Sequence, residues 1–235
     1  EIVDLSGGGA RGAYEVGVLA YVFDHFARVR RQVPQIDLVL GTSVGAINGC
    51  FLASHLGDPA LGTRRLSNLW SDIQMDEVLG FGLSQMTSLP RLLMGGGQSA
   101  VGLFDVAPMA RLVEREVQWR GIARAFRDRR FFFNYTATTE IGTGKTVLFM
   151  QTAPGTALPK HTPPRTVIRP ARIGPIHALA SAAIPVLFPP VRIGAHLEHV
   201  IAILRQTPAP NRETQAERLR LLDHLAGYTA AGIFP

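Results

Sequence analysis

Hydrophobic and polar positions switch between two periods along the N-terminal part of the chain. Ile2-Val3-Asp4-Leu5 reads as a short strand that runs straight into a glycine turn, Gly7-Gly8-Gly9-Ala10-Arg11-Gly12. From Ala13 the apolar residues recur at Val16, Leu19, Val22, Phe23 and Phe26, the spacing of an amphipathic helix. Pro34 ends that region, and Ile36-Asp37-Leu38-Val39-Leu40 is a second, buried strand. Gly41 to Gly45 forms a turn, and the small-residue stretch Ala46 to His55 continues as a helix. Strand, turn, helix, strand, turn, helix opens a parallel sheet with crossover helices.

The pattern loosens over residues 57–104, where a helix is predicted only around Leu66 to Trp70. Leu79 to Phe104 offers Leu79, Phe81, Leu83, Met86, Leu89, Leu92, Leu93 and Met94 with Arg91 among them, which suits either core or a lid entering a lipid interface. Phe131 to Thr138 and Thr146 to Met150 form a strand pair around Gly142-Thr143-Gly144-Lys145. Pro159 to Pro170 reads as a proline-rich loop. Gly174-Pro175 opens a helix that runs through Ala183, proline being favoured in a first turn, and Pro185 stops it. A late strand over His199 to Leu204 and a terminal amphipathic helix over Glu213 to Leu225 complete the set. The expected fold class is α/β, a three-layer α/β/α arrangement on a mainly parallel central sheet, with residues 1–235 as a single domain.

Bulk properties narrow the function classes. With 235 residues the chain can bury a substantial core, and no stretch approaches the ~20 apolar residues of a membrane span. Cys50 is the only cysteine, so no internal disulfide can form, and its apolar neighbours predict a buried, unreactive thiol. The formal net charge of +6 is carried almost wholly by arginine. The clusters Arg28-Val29-Arg30-Arg31 and Arg127-Asp128-Arg129-Arg130 read first as solvated helix ends. No aromatics interleave with them as a nucleic-acid groove requires, so anionic lipid is the better partner and no nucleic acid is expected. The first residue is Glu1, which is compatible with a removed leader or a preceding domain. The compartment stays open between soluble and peripheral to a membrane, the cytoplasm being slightly favoured, and the oligomeric state is equally open.

Two motifs carry chemistry. Gly41-Thr42-Ser43-Val44-Gly45 is a G-x-S-x-G between a strand and a helix, the pattern of a nucleophile elbow that lifts Ser43 above the carboxyl edge of a sheet. Glycines two positions either side relieve the crowding of so sharp a turn, and the following helix points free N–H groups at developing negative charge. The bland alternative is a plain strand–helix turn, and the flanking strand and small-residue helix argue against it. Gly7 to Gly12 also fits the dinucleotide pattern G-x-G-x-x-G. That reading needs an acidic residue ending the second strand, where Leu40-Gly41 stands instead, so an oxyanion hole built from exposed N–H groups with Arg11 nearby is preferred.

Together these motifs resemble the patatin-like phospholipase family, whose members carry a G-G-G-x-R-G turn after the first strand and a G-x-S-x-G elbow after the second. Ala180-Ser181-Ala182-Ala183-Ile184-Pro185, followed by Phe188-Pro189-Pro190-Val191, is similar to the stretch before that family's catalytic aspartate. The resemblance implies a lipid acyl hydrolase of the phospholipase A, lysophospholipase or esterase type, acting on phospholipid or other acyl lipid during transient contact with a membrane surface. It implies a Ser–Asp dyad without metal or cofactor: Ser43 as nucleophile, and Gly7, Gly8, Gly9, Ala10, Arg11 and Gly12 as the oxyanion hole. In the family the aspartate lies in a D-G-G or D-G-A motif. This sequence contains no Asp-Gly pair and passes from Val191-Arg192-Ile193-Gly194 to Ala195-His196-Leu197-Glu198-His199. The catalytic Asp is therefore expected in a segment after Gly194 that the sequence lacks.

Other signals are discounted. Gly144-Lys145-Thr146 has the end of a phosphate loop but sits between strands, and a hairpin is the better reading. His196 and His199 have no third candidate ligand nearby. His177, in a first helical turn, is the one histidine placed where a triad base could stand. Two rival functions remain: a serine acyltransferase on a related fold, and a non-catalytic lipid-binding module that has lost its base.

Overall fold

A computed structural model of the chain describes residues 1–31, 33–73, 106–159, 161–185 and 187–193. Ile2–Leu5 (β1), Leu38–Thr42 (β2), Phe133–Glu140 (β3), Lys145–Thr152 (β4) and Thr166–Pro170 (β5) form one sheet in the order β1-β2-β3-β4-β5. β1 pairs parallel with β2, and β2 with β3. β3 and β4 form an antiparallel hairpin, and β4 pairs parallel with β5. The sheet is thus mixed and mostly parallel, and with its flanking helices it makes an α/β fold.

Arg11–His25 (α1) links β1 to β2 and continues as a single wide turn over Phe26–Arg30, which ends on Arg31 at φ 50°. Val44–Ser54 (α2) follows β2 without a linker. Its residues are small or apolar, and nearly all are buried, as befits a helix enclosed on every side. It packs against β1, β2 and β3 and also against Pro59–Asp72 (α3), Trp119–Arg127 (α5) and Pro175–Ala182 (α6). Ala107–Glu116 (α4) completes the described helices. Asp58 caps α3 by accepting the Leu61 N–H at 3.0 Å, with Pro59 in the first turn.

The core lies between the helices and the sheet face that carries Val39, Thr136 and Phe149, all within a few percent of full burial. Phe126 and Phe131 stack at a centroid distance of 4.1 Å where α5 hands over to the sheet. Cys50 sits in this core, and burial pushes its thiol up to about 12, against a lesser opposing pull from Thr136. The expected outcome is that native protein at pH 8 ignores a thiol-reactive disulfide reagent and reacts fully once denatured. Immediate titration of one thiol in the native state would contradict this placement.

Most predicted elements lie where the pattern puts them, and two differ. Pro159 to Pro170 is not all loop, because β5 occupies Thr166–Pro170. Val167 and Ile168 favour strand, and among the described residues β5 lies at the edge of the sheet, where a proline is tolerated because its missing N–H interrupts no ladder. The helices α4 and α5 fall where no element was expected. The expected interfacial segment over Leu79 to Phe104, the late strand and the terminal helix lie outside the described residues. Among the described residues, no helix is long and apolar enough to cross a membrane.

Candidate active site

The register Leu5↔Gly41 brings the ends of β1 and β2 side by side, so both motif turns leave the same carboxyl edge of the sheet. In open α/β sheets that edge is where ligands bind. After Thr42 the chain reverses within one residue: Ser43 has φ 57° and ψ −128°, and α2 starts at Val44. A non-glycine residue at such a φ costs on the order of 1–3 kcal/mol and persists only where its surroundings over-determine it. Here they do. The Ser43 carbonyl accepts the Ala46 N–H at 2.9 Å, and the Ser43 N–H donates to the Ser181 hydroxyl at 2.8 Å.

Glycine is required on both sides of the elbow because backbone lies where a side chain would go. A Cβ on Gly45 would stand 2.1 Å from the Leu5 carbonyl oxygen, and one on Gly41 would stand 2.4 Å from the Gly45 oxygen. The turn after β1 fits closely over the serine. A Cβ on Gly7 would lie 2.9 Å from the Ser43 Cβ and 3.6 Å from its Oγ. Gly8 and Gly9 take φ 142° and 58°, values that L side chains rarely adopt. Their N–H groups, and that of Ala10, donate to no group among the described residues, whereas those of Arg11 and Gly12 close the turn onto the Gly8 and Gly9 carbonyls. The Arg11 side chain folds back over Gly8, where its Cβ and Cδ would each meet an added Cβ at 3.3 Å.

Two residues beneath the turns, Asn48 and Ser181, carry positioning contacts that the two glycine motifs do not contain. Asn48, buried in α2, donates from Nδ2 to the Gly12 carbonyl at 3.2 Å and accepts the Trp70 indole N–H on Oδ1 at 3.0 Å. It ties the start of α1 to the elbow helix and to α3. A lone asparagine inside the apolar run of α2 is the signal that could have found it, because a buried amide requires partners. Ser181, on α6, reaches both Ser43 and β3.

Glu15 lies under the glycine turn. Burial pushes its carboxyl above the ordinary range, the Ser6 N–H opposes this, and Asp4 adds to the rise. Its Oε2 is shut off from solvent with no hydrogen-bond partner among the described residues, although the residue as a whole is half-exposed. A carboxyl raised in the folded state binds protons more tightly there than in the unfolded chain. Its contribution to stability is therefore present at low pH and is lost as pH rises through the folded pKa. Glu15→Gln is expected to raise the melting temperature at pH 7 and leave it nearly unchanged at pH 4. A lower melting temperature at pH 7 would contradict this.

His177 sits in the first turn of α6. Its Nδ1 accepts the Gly174 N–H at 3.1 Å, closing the first turn of α6, and its ring meets Phe149 edge-on at 4.7 Å. Gly144 sits in the β3–β4 hairpin at φ 63°, and no helix follows it as a phosphate loop requires. No His, Cys, Asp or Glu cluster suited to a metal occurs among the described residues. A cavity of about 600 Å³ lies at the far end of α2 from Ser43, bounded by Phe51, His55, Arg65, Asn68 and Leu112. The stretch after Gly194, where the aspartate is expected, lies outside the described residues.

A serine on a strained strand-to-helix turn, faced by a glycine turn at the carboxyl edge of a mainly parallel sheet, is the layout used by acyl hydrolases of the α/β class. This chain belongs to the patatin-like phospholipase family, whose model matches residues 5–201. The family is one of lipid hydrolases. No curated protein sequence matches the chain significantly. Among solved structures, the type III effector protein ExoU is similar at 16% identity and a TM-score of 0.40, over 98% of this chain and 52% of that one. Full-length ExoU in complex with full-length SpcU, from the type III secretion system of Pseudomonas aeruginosa, gives 14% identity and a TM-score of 0.42, over 100% and 53%. The chain thus spans about half the length of the solved structures it matches.

Proposed function

We propose that the chain is a carboxylic ester hydrolase acting on phospholipid or another acyl lipid, with Ser43 as its nucleophile. The observation that carries this reading is the placement of Gly7 directly against the Ser43 side chain, which sets the glycine turn beside the atom that attacks. Ser43 Oγ adds to the ester carbonyl, and the tetrahedral oxyanion is held by N–H groups of the Gly8–Gly9 turn at the N-terminal end of α2. Collapse of the intermediate releases the alcohol, and water then hydrolyses the acyl-serine. The Ser43 N–H is taken up by Ser181, so the donors fall to the glycine turn. The general base is the aspartate of a Ser–Asp dyad, assigned to a D-G-G or D-G-A segment after Gly194 and to no residue of the present sequence.

Arg11 supports the oxyanion site by holding its side chain over Gly8 and adding positive charge where negative charge develops. Arg11→Ala is expected to lower kcat by about 10²-fold with KM little changed, as loss of transition-state stabilisation alone dictates. A KM effect without a kcat effect would place Arg11 at the lipid head group.

Phosphatidylcholine vesicles presented with and without an added alcohol or thiol acceptor test the reaction class. Free fatty acid as the main product in both supports the hydrolase. Transfer of most acyl groups to the acceptor supports the acyltransferase. The missing Asp-Gly pair favours a second reading, a lipid-binding module without turnover, and vesicle binding without any acyl product would support that one.

A further inference from the structure

We infer that Ser181 is a positioning residue that locks the nucleophile elbow by standing between two strands' backbones. The inference rests on the reading of Ser43 as nucleophile. The β2–β3 ladder runs up to the rung Thr42↔Ala137. One step further in a regular parallel ladder, the Ser43 N–H would donate to the Ala137 carbonyl. That bond would keep Ser43 in the plane of the sheet and oppose the reversal to φ 57°. The Ser181 hydroxyl takes the place of the direct bond. It accepts the Ser43 N–H at 2.8 Å and donates its own proton to the Ala137 carbonyl at 2.5 Å.

Both backbone groups are thereby satisfied while β2 and β3 separate by the width of one oxygen, and Ser43 turns out of the sheet. The Ser181 hydroxyl's only proton goes to the Ala137 carbonyl while one of its lone pairs takes the Ser43 N–H. Ala180 and Ala182 flank it with no competing polar group, and α6 packs against both α2 and β3, which fixes the hydroxyl in the gap. The same helix leads into the proline-rich stretch before Gly194. Ser181 thus ties the nucleophile to the element from which the base is expected to arrive.

The test uses Ser181→Ala, which removes the hydroxyl, and Ser181→Thr, which keeps it. Two readouts are taken: exchange of the Ser43 amide hydrogen followed by NMR, and the rate at which a fluorophosphonate labels Ser43. The expected result for the alanine variant is amide exchange at least about tenfold faster and labelling slower by about 10²-fold, the scale on which a 1 Å misplacement acts. The threonine variant is expected to keep both near the wild-type values. Unchanged exchange and labelling in the alanine variant would overturn the proposal, as would a threonine variant as impaired as alanine, which would make the role one of packing. A wild type that exchanges more slowly than the alanine variant but takes no label would refute Ser43 as nucleophile, and the positioning role with it, while leaving the hydroxyl bridge in place.

Discussion

Ser43→Ala is expected to abolish turnover of a short p-nitrophenyl ester, with a loss in kcat of about 10⁴-fold or more, while leaving the fold intact. Removing a catalytic serine costs on that scale because what remains is only binding and the oxyanion donors. The substitution deletes one oxygen from a half-buried side chain whose Oγ has no hydrogen-bond partner among the described residues, so none of the described hydrogen bonds is lost with it. The backbone strain stays, since alanine is no easier than serine at φ 57°. Glycine is easier, and Ser43→Gly is expected to be equally inactive but about 1 kcal/mol more stable than Ser43→Ala. Activity assays beside denaturant titrations separate the two effects. Retained activity in a well-folded alanine variant would remove Ser43 from the chemistry.

Gly45→Ala is expected to have the largest effect on stability, a loss of about 3 kcal/mol or more. A methyl there would stand 2.1 Å from the Leu5 oxygen and 2.6 Å from the Leu5 carbon and the Ser6 oxygen. All three are backbone atoms, so no side chain can rotate away, and α2 would have to lift off β1. That movement would also carry Ser43 away from the glycine turn, and activity should fall with stability. Gly17→Ala is the control. Among the described residues, nothing beyond its chain neighbours and its own helix backbone lies within 4 Å of a Cβ at this exposed position of α1, and alanine there should add about 0.5–1 kcal/mol by its better helix propensity. Equal denaturation midpoints for the Gly45 variant and the wild type would mean that the elbow does not pack on β1 as described.

The two turns of the candidate site were legible because glycine patterns announce themselves. G-x-S-x-G after an apolar strand and G-G-G-x-R-G after another left few alternatives for Gly7 to Gly12 and Gly41 to Gly45. The strands β1 to β4 were legible from β-branched and aromatic runs. Less legible were features set by tertiary context. Thr166–Pro170 has two prolines just upstream at Pro163 and Pro164, whose loop character hides the strand preference of Val167 and Ile168 until β5 pairs with β4. The helices α4 and α5 do carry the helical period, with Met109 and Val113 in one and Ile122, Ala125 and Phe126 in the other buried between exposed arginines, so both were within reach of the sequence. Ser181 and Asn48 act across long sequence separations. Their neighbours describe only a small-residue helix, and nothing local says that one hydroxyl will reach Ser43 or that one amide will bridge Gly12 and Trp70.

Mass-spectrometric mapping of a fluorophosphonate adduct tests the central claim most directly, because phosphonylation needs a serine that is both exposed and activated. The adduct is predicted on the peptide containing Ser43, at one site per chain, and is predicted to be absent from Ser43→Ala. An adduct on another serine, or no adduct on the folded wild-type protein, would contradict the account.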